Sequence, residues 1–296
     1  MSTREFDKDR RHLIKLAGIA AAAATIGINP TQAIGTPSSH PRLFFTDVGK
    51  GTNVLLLHGW TCDSHDWSWQ LPLLESKYRV VAVDLRGHGR SDVPPSGAYN
   101  PSDYVGDVER LISSRYPGEK FVVIGHSMGG QIGARLAAKR PDLVRALVSI
   151  DGALGFSDEV GMLFAKAARA LVSGDPAVVV PAFLRPVYDK HTNPAWKRWH
   201  ARRVQGMPMH VVRESFGPLF VGPAQVGVGE ASGEFCKTLK VPVYHLCRDP
   251  VQADRMRPWF TADGSKVDVW TDAGHWIMQD RVDDVNHAIT QWIDTL

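Results

Sequence analysis

The sequence predicts an α/β protein with a mostly parallel, doubly wound sheet and a helical insertion between two of its strands. Short β-branched apolar runs alternate with segments whose apolar residues recur at helical spacing. Between residues 152 and 235 the composition changes to helical segments rich in aromatic residues and broken by proline and glycine. The chain has 296 residues, 44% of them hydrophobic, which is enough to bury one large core.

The predicted elements follow one another in the order that such a fold needs. Each strand is a short apolar run, and the helix at 131–139 stops before Pro141. We expect strands at residues 53–59, 79–84, 121–124, 146–150, 241–246 and 267–270, and helices at residues 101–114, 131–139 and 282–293. We expect core segments at residues 36–151 and 236–296, and a helical insertion at 152–235.

The segment from Gly125 to Gly129 fits the pattern G-x-S-x-G, with a buried strand before it and a helix after it. A serine on a strand-to-helix turn is held with its hydroxyl exposed, and the small flanking residues allow the close approach that the turn requires. The helix directs its N-terminal amides toward a developing oxyanion. This context predicts that Ser127 is a nucleophile.

Four motifs occur in a fixed order. They are H-G-W at 58–60, D-x-R-G-H-G-x-S at 84–91, G-H-S-M-G-G at 125–130 and G-H-W at 274–276. With these motifs, residues 42–296 resemble the α/β-hydrolase superfamily, in the branch that includes esterases, lactonases, cofactor-free haloperoxidases, C–C bond hydrolases and haloalkane dehalogenases. The resemblance implies a hydrolase fold in which residues 152–235 form a helical cap.

His275 is the candidate general base, because a serine hydroxyl needs a base within hydrogen-bond reach. It follows the last predicted strand, and the chain order of serine before histidine is that of this fold. The backbone N–H groups of Trp60 and Met128 are the candidate oxyanion hole. We expect His58 and His126 to shape their turns through hydrogen bonds.

The orienting acid departs from the usual pattern. The resemblance puts it after the strand at 241–246, where the aligned position is Val251. Asp249 comes about two residues early and Asp254 about three late. Some relatives place the acid after the strand that follows the nucleophile helix, and here that residue is Asp151. The carboxyl ends of parallel strands face the active-site crevice, so we favour Asp151, with Asp249 as the alternative.

The insertion supplies the candidate pocket lining. Some of its aromatic and methionine residues should face the pocket and favour an apolar substrate. They are Phe156, Met162, Phe164, Phe183, Tyr188, Trp196, Trp199, Met207, Met209, Phe216 and Phe220. Arg185, Arg198 and Arg202 are available to a substrate carboxylate, although exposed solubilising charges are the better interpretation.

The resemblance therefore implies a cofactor-independent serine hydrolase acting on a small or medium carboxylic ester or lactone. Perhydrolase (haloperoxidase-like) chemistry and C–C bond hydrolysis on the same residues remain open. Haloalkane dehalogenation is disfavoured because it uses an aspartate nucleophile where this chain has Ser127. A ligand-binding protein that keeps the fold without turnover also remains open. No cofactor or metal is expected, since neither the histidines nor Cys62, Cys236 and Cys247 show metal spacing.

The N-terminus resembles a twin-arginine export signal. Arg10 and Arg11 precede an apolar stretch at 16–28, and a small-x-small site ends at Ala33. We therefore expect a signal at residues 1–33 and a periplasmic or secreted protein. The first 33 residues contain five Lys/Arg and three Asp/Glu, which leaves 29 and 28 in the rest. A near-neutral body argues against nucleic acid as a partner. The apolar stretch is too short for a membrane span, and the oligomeric state is open.

Overall fold

The computed structural model describes residues 40–296, which form one compact unit. The predicted export signal at residues 1–33 lies outside the described residues. Within residues 40–296, no helix combines the length and apolar character that crossing a membrane requires.

A seven-stranded sheet organises the fold, with strand order β1-β3-β2-β4-β5-β6-β7. β1 pairs antiparallel with β3 at one edge, and every other pairing is parallel. The fold class predicted from the sequence is confirmed. The strands are β1 (Phe45–Val48), β2 (Asn53–Leu57), β3 (Arg79–Val83), β4 (Phe121–His126), β5 (Val144–Ile150), β6 (Val243–Cys247) and β7 (Lys266–Val269).

Eleven α-helices accompany the sheet in the described chain. They are α1 (Leu71–Lys77), α2 (Pro101–Arg115), α3 (Met128–Lys139), α4 (Asp158–Ser173), α5 (Pro176–Leu184), α6 (Pro194–Gly206), α7 (Met209–Phe216), α8 (Gly229–Lys237), α9 (Pro250–Met256), α10 (Ile277–Asp280) and α11 (Val282–Ile293). Helices α4 to α8 lie between β5 and β6 in the chain, where the sequence predicts the insertion. The exact cap boundaries stay a prediction.

The central strands are buried along their whole length. All six residues of β4 are buried, and β2 is buried from Val54 to Leu57. A parallel sheet covered by helices reads as continuous apolar runs, which explains why these strands are visible in the sequence. The sheet therefore gives a rigid base for the loops that follow its carboxyl ends.

The turn after β3 is fixed by polar contacts from its own motif. The Asp84 carboxylate accepts hydrogen bonds from the backbone N–H groups of Ser64 (2.8 Å) and Arg90 (2.9 Å). Arg86 forms a two-bond ion pair with Asp107 of α2 (2.5 and 2.7 Å). These contacts give the D-x-R-G-H-G-x-S segment a structural role, which is to hold the turn after β3 in place.

Candidate active site

Ser127 lies on the sharp turn between β4 and α3, with φ 51° and ψ −116°. A non-glycine residue in this region is strained. The flanking glycines are required, because a Cβ on Gly125 would collide with the carbonyl of Gly129. A Cβ on Gly129 would in turn collide with the carbonyl of Leu57. The sequence thus builds the predicted nucleophile turn.

Strain is concentrated around this turn. Among residues 40–296, the non-glycine residues with positive φ are Thr61 (58°), Ser127 (51°) and Asp151 (41°). Thr61 follows Trp60, and Asp151 follows β5 directly. Strained backbone of this kind persists where the surrounding structure fixes it, and it clusters at functional sites.

Asp151 and His275 are in direct contact. The His275 Nδ1 and Asp151 Oδ2 atoms lie 2.6 Å apart, and Asp151 is buried. Asp249 is exposed and instead accepts a hydrogen bond from the N–H of Val251 at the start of α9. Asp254 is also exposed and pairs with Arg257. Of the candidate acids, the structure therefore brings Asp151 to the histidine.

Arg248 is a second partner of Asp151 that the sequence reasoning did not find. Its Nε donates to Asp151 Oδ2 at 2.8 Å, the same oxygen that His275 contacts. Burial alone would raise the pKa of Asp151, but the charge of Arg248 and the hydrogen bond from His275 outweigh burial and lower it. Asp151 is therefore held as an anion.

The carbonyl of Val187 joins the insertion to this group. It accepts a hydrogen bond from the backbone N–H of His275 at 2.8 Å and a longer one from Arg248 Nη1 at 3.4 Å. Val187 belongs to the 3₁₀ turn Arg185–Val187 that follows α5. The position of His275 thus depends on the insertion as well as on the loop after β7.

Two backbone N–H groups are available for a negative oxygen near Ser127. Met128 is the first residue of α3, so its N–H has no carbonyl partner within the helix. The Trp60 N–H makes no hydrogen bond within the described residues, and Trp60 lines the same pocket as Ser127. The predicted oxyanion-hole residues therefore have free donors at the site.

His58 and His126 have the structural contacts that the sequence predicts. His58 Nε2 accepts from the N–H of Leu85, and its Nδ1 donates to the carbonyl of Gly59. His126 Nε2 donates to the carbonyl of His275 at 2.9 Å. Burial lowers the pKa of His126 to about 3, so its ring is neutral at ordinary pH.

Ser127 and His275 line the same pocket, which we call the inner pocket. Its cavity volume is about 70 Å³, and its wall is mostly aromatic. The lining residues are Trp60, His126, Ser127, Ala153, Phe156, Phe164, Phe183, Leu184, Val187, Phe216, Leu219, Phe220, Arg248, His275 and Trp276. Five of the predicted cap aromatics therefore face the pocket, whereas Met162, Tyr188, Trp196, Trp199, Met207 and Met209 do not line it.

A larger cavity adjoins the inner pocket, and we call it the outer cleft. It has a volume of about 750 Å³ and lies mainly against α4 and α5. Its wall is formed by Asp151, Phe156, Val160, Leu163, Phe164, Lys166, Ala167, Ala170, Val179, Ala182, Phe183, Pro186, Val187, Arg248, Asp249 and Gln252. Arg185, Arg198 and Arg202 line neither cavity, so Arg248 is the arginine at the site.

Cys62, Asp66 and His126 are three buried residues whose ligand atoms lie within 4.8 Å of one another. The Asp66 carboxylate already accepts from Arg203 Nη2 (2.5 Å) and Trp276 Nε1 (3.2 Å). A divalent cation there would lie against a fixed guanidinium. Burial also raises the pKa of the Cys62 thiol, which disfavours the thiolate that a metal needs. The cluster therefore fits a buried polar anchor better than a metal centre.

Comparisons with known proteins agree with the fold. A family model described as alpha/beta hydrolase fold matches residues 52–198. A 2-(acetamidomethylene)succinate hydrolase of Mesorhizobium japonicum is 40% identical over 105 residues, 36% of this chain and 37% of that protein. A fluoroacetate dehalogenase of Burkholderia is 37% identical over 107 residues, 35% of each chain. The chain spans about a third of the length of the curated relatives it matches.

Solved structures match over most of the chain. An esterase from Thermogutta terrifontis has a TM-score of 0.72 and 25% identity, covering 86% of this chain and 93% of the esterase. An enol-lactonase from Burkholderia xenovorans has a TM-score of 0.71 at 19% identity, covering 85% and 96%. The second likeness shows the fold alone.

Proposed function

The chain belongs to the α/β-hydrolase superfamily, and on this premise we propose that it is a serine hydrolase of small or medium apolar carboxylic esters or lactones. The observation that carries the proposal is the 2.6 Å contact between His275 and a buried, ionised Asp151, beside Ser127 on its strained turn. Such a group activates a serine hydroxyl.

The proposed reaction has two halves. Ser127 Oγ attacks the carbonyl carbon while His275 takes the hydroxyl proton, and the negative oxygen that forms is bound by the N–H groups of Met128 and Trp60. His275 then donates the proton to the leaving alcohol as the C–O bond breaks. Water attacks the acyl-enzyme in the same way and releases the acid. Asp151 accepts the Nδ1–H of His275 throughout and stabilises the imidazolium.

The pocket supports an apolar substrate. The inner pocket is walled by Trp60, Phe164, Phe183, Phe216 and Phe220, and ligand sites of this kind hold apolar groups. The inner pocket is also small, so the bulk of a medium-sized substrate extends into the outer cleft. Ser127 at the turn also disfavours haloalkane dehalogenation, because that reaction uses an aspartate nucleophile at this position.

Labelling with a fluorophosphonate tests the proposal. We expect a stoichiometric adduct on Ser127, located by mass spectrometry, and its loss in His275→Ala. We expect Asp151→Asn to lower kcat/KM for aryl esters by about 10⁴-fold, as for the corresponding change in a serine protease. Asp249→Asn is the matched control and should retain activity. A folded protein without an adduct, or the reverse order of the two aspartate variants, would contradict the proposal.

We further propose that residues 1–33 direct export through the twin-arginine route, since Arg10, Arg11 and the apolar stretch at 16–28 fit that pattern. The proposed location is periplasmic or secreted. Replacing Arg10 and Arg11 by lysine together should retain the protein inside the cell, as measured by fractionation.

A further inference from the structure

The inner pocket and the outer cleft meet at five residues. Four of them are apolar, and the fifth is Arg248; the apolar residues are Phe156, Phe164, Phe183 and Val187. A substrate that reaches from Ser127 into the outer cleft therefore passes one charged side chain at the junction. The Arg248 side chain is 28% exposed, so it remains accessible from the cavities.

The guanidinium of Arg248 has donors left over. It has five N–H groups, of which Nε–H binds Asp151 and one on Nη1 makes the longer contact to the Val187 carbonyl. Within residues 40–296, Nη2 donates to no group. Because Asp151 occupies the Nε edge of the planar group, the Nη end is open to a second anion.

The Nη end of Arg248 is held in a fixed position by Asp151, which binds the Nε–H of the same guanidinium. Asp151 is buried and anchored by its own N–H to the carbonyl of Leu246 (2.7 Å), so the guanidinium that it holds has little freedom. An arginine fork held in place matches a planar carboxylate and loses little entropy on binding it. The other charged groups on the wall of the outer cleft are Lys166, Asp151, which is paired with Arg248, and Asp249, which accepts the N–H of Val251.

We propose that Arg248 binds a carboxylate of the substrate, so that among esters or lactones with an apolar group for the inner pocket the enzyme prefers those that also have a free carboxylate away from the scissile bond. This inference rests on the proposed serine hydrolase function. The scissile carbonyl lies at Ser127 in the inner pocket, and the carboxylate lies at the Nη end of Arg248, where the outer cleft begins. Arg248 acts here as a specificity-determining residue.

Two pairs of substrates test the preference. 4-Nitrophenyl glutarate monoester is compared with 4-nitrophenyl valerate, which places the carboxylate on the acyl side. 4-(Butanoyloxy)benzoate is compared with its methyl ester, methyl 4-(butanoyloxy)benzoate. This pair places the carboxylate on the leaving-group side. We expect kcat/KM for the charged member of at least one pair to exceed its neutral partner, and to lose this advantage as salt is raised.

Substitution of Arg248 supplies the decisive measurement. In Arg248→Gln the ratio of charged to neutral kcat/KM should fall about 10- to 100-fold, the usual effect of losing a charge-assisted hydrogen bond. Effects of the substitution on Asp151 act on both members of a pair and cancel in this ratio. Arg248→Lys keeps the charge without the fork and should give an intermediate ratio. Arg185→Gln is the matched control and should leave the ratio unchanged.

The outcomes separate the two proposals. An unchanged ratio in Arg248→Gln with normal turnover overturns the role of Arg248 and leaves the hydrolase proposal standing. Absence of turnover of all four esters by the wild-type protein overturns the hydrolase proposal. Where Arg248→Gln does not fold, inhibition of the wild-type enzyme by glutarate is compared with inhibition by its monomethyl and dimethyl esters. Equal inhibition by all three would then overturn the role of Arg248.

Discussion

The ring of His126 and the backbone carbonyl of His275 are joined by a hydrogen bond of 2.9 Å. The residue before the proposed nucleophile therefore holds the loop of the proposed base, although 149 positions separate the two in the chain. The donor is Nε2–H, and burial keeps the ring neutral by lowering its pKa to about 3. The loops of the proposed nucleophile and the proposed base are thus joined by one uncharged side chain.

Replacing His126 should lower activity more than stability. In His126→Ala the His275 loop loses its tether and the carbonyl loses its donor, so we expect kcat to fall about 10- to 100-fold, since small misplacements of catalytic groups have costs of this size. The side-chain amide of His126→Gln can replace Nε2–H and should recover part of the loss. Steady-state kinetics of both variants check this. Equal kcat in the alanine variant and the wild type would be incompatible with the tether.

Removing the strain at Ser127 should separate stability from function. Its φ of 51° costs a non-glycine residue about 1–3 kcal/mol, whereas glycine adopts this conformation freely. Ser127→Gly and Ser127→Ala should both be inactive, but the glycine variant should unfold at higher urea concentration than the alanine variant. A glycine variant that is the less stable of the two would show that the turn is not strained.

The ion pair between Asp66 and Arg203 should be important for stability. Arg203 Nη2 lies 2.5 Å from Asp66 Oδ1, and the two side chains are 10% and 0% exposed. Arg203→Met leaves a buried carboxylate without its partner, so we expect a loss of about 3–5 kcal/mol in the free energy of unfolding.

Two further variants control this measurement. Asp66→Asn combined with Arg203→Met removes both charges and should recover much of the loss. Arg281→Met breaks the more exposed pair with Asp272 and should cost less than about 1 kcal/mol. Urea denaturation checks all three. An equally small loss of unfolding free energy in Arg203→Met and Arg281→Met would mean that the buried Asp66–Arg203 pair stabilises the fold no more than an exposed pair does.

Buried histidines should make the fold sensitive to mild acid. Burial is the main cause that lowers the pKa of His88 and His126 to about 3, and that of His200 and His245 to about 4. Between pH 6.5 and about 4 the unfolded chain binds these protons and the native state does not. The contribution of these histidines to the free energy of unfolding is therefore fully present above pH 6.5. It falls with the pH by about 1.4 kcal/mol per pH unit for each histidine.

Urea denaturation at several values between pH 7.5 and pH 4.5 checks this slope. His245→Asn should reduce the slope by one histidine's share, because its side-chain amide still reaches Ser149 without titrating. A free energy of unfolding that stays constant down to pH 4.5 would show that the buried histidines are not held neutral in the native state.

Local patterns in the sequence predicted most of the fold. Buried parallel strands are continuous apolar runs, so β2, β4 and β5 were found within a few residues of their observed bounds. The antiparallel edge strand β1 was missed, because Phe45–Val48 is a short and largely exposed segment without such a run.

The site residues differ in the same way: local patterns predict some of them, and long-range contacts decide the others. Ser127 sits in a local motif, and Asp151 follows a recognisable strand, so both were named from the sequence. Arg248 meets Asp151 across 97 positions, and Arg203 meets Asp66 across 137. No local pattern marks which of several arginines turns inward, because that depends on how the insertion packs on the sheet. For Arg185, Arg198 and Arg202 the sequence favours exposed solubilising charges over a substrate contact, and all three are exposed.

The carbonyl of Val187 holds the backbone of His275 and touches Arg248. The helical insertion and the proposed general base are thus coupled by one hydrogen bond. Any movement that carries this 3₁₀ turn outward also breaks the hydrogen bond to the N–H of His275, so the proposed base would lose its position in an open state. A compound that wedges the turn outward would therefore stop turnover from a distance, without occupying the place of the substrate or touching the serine.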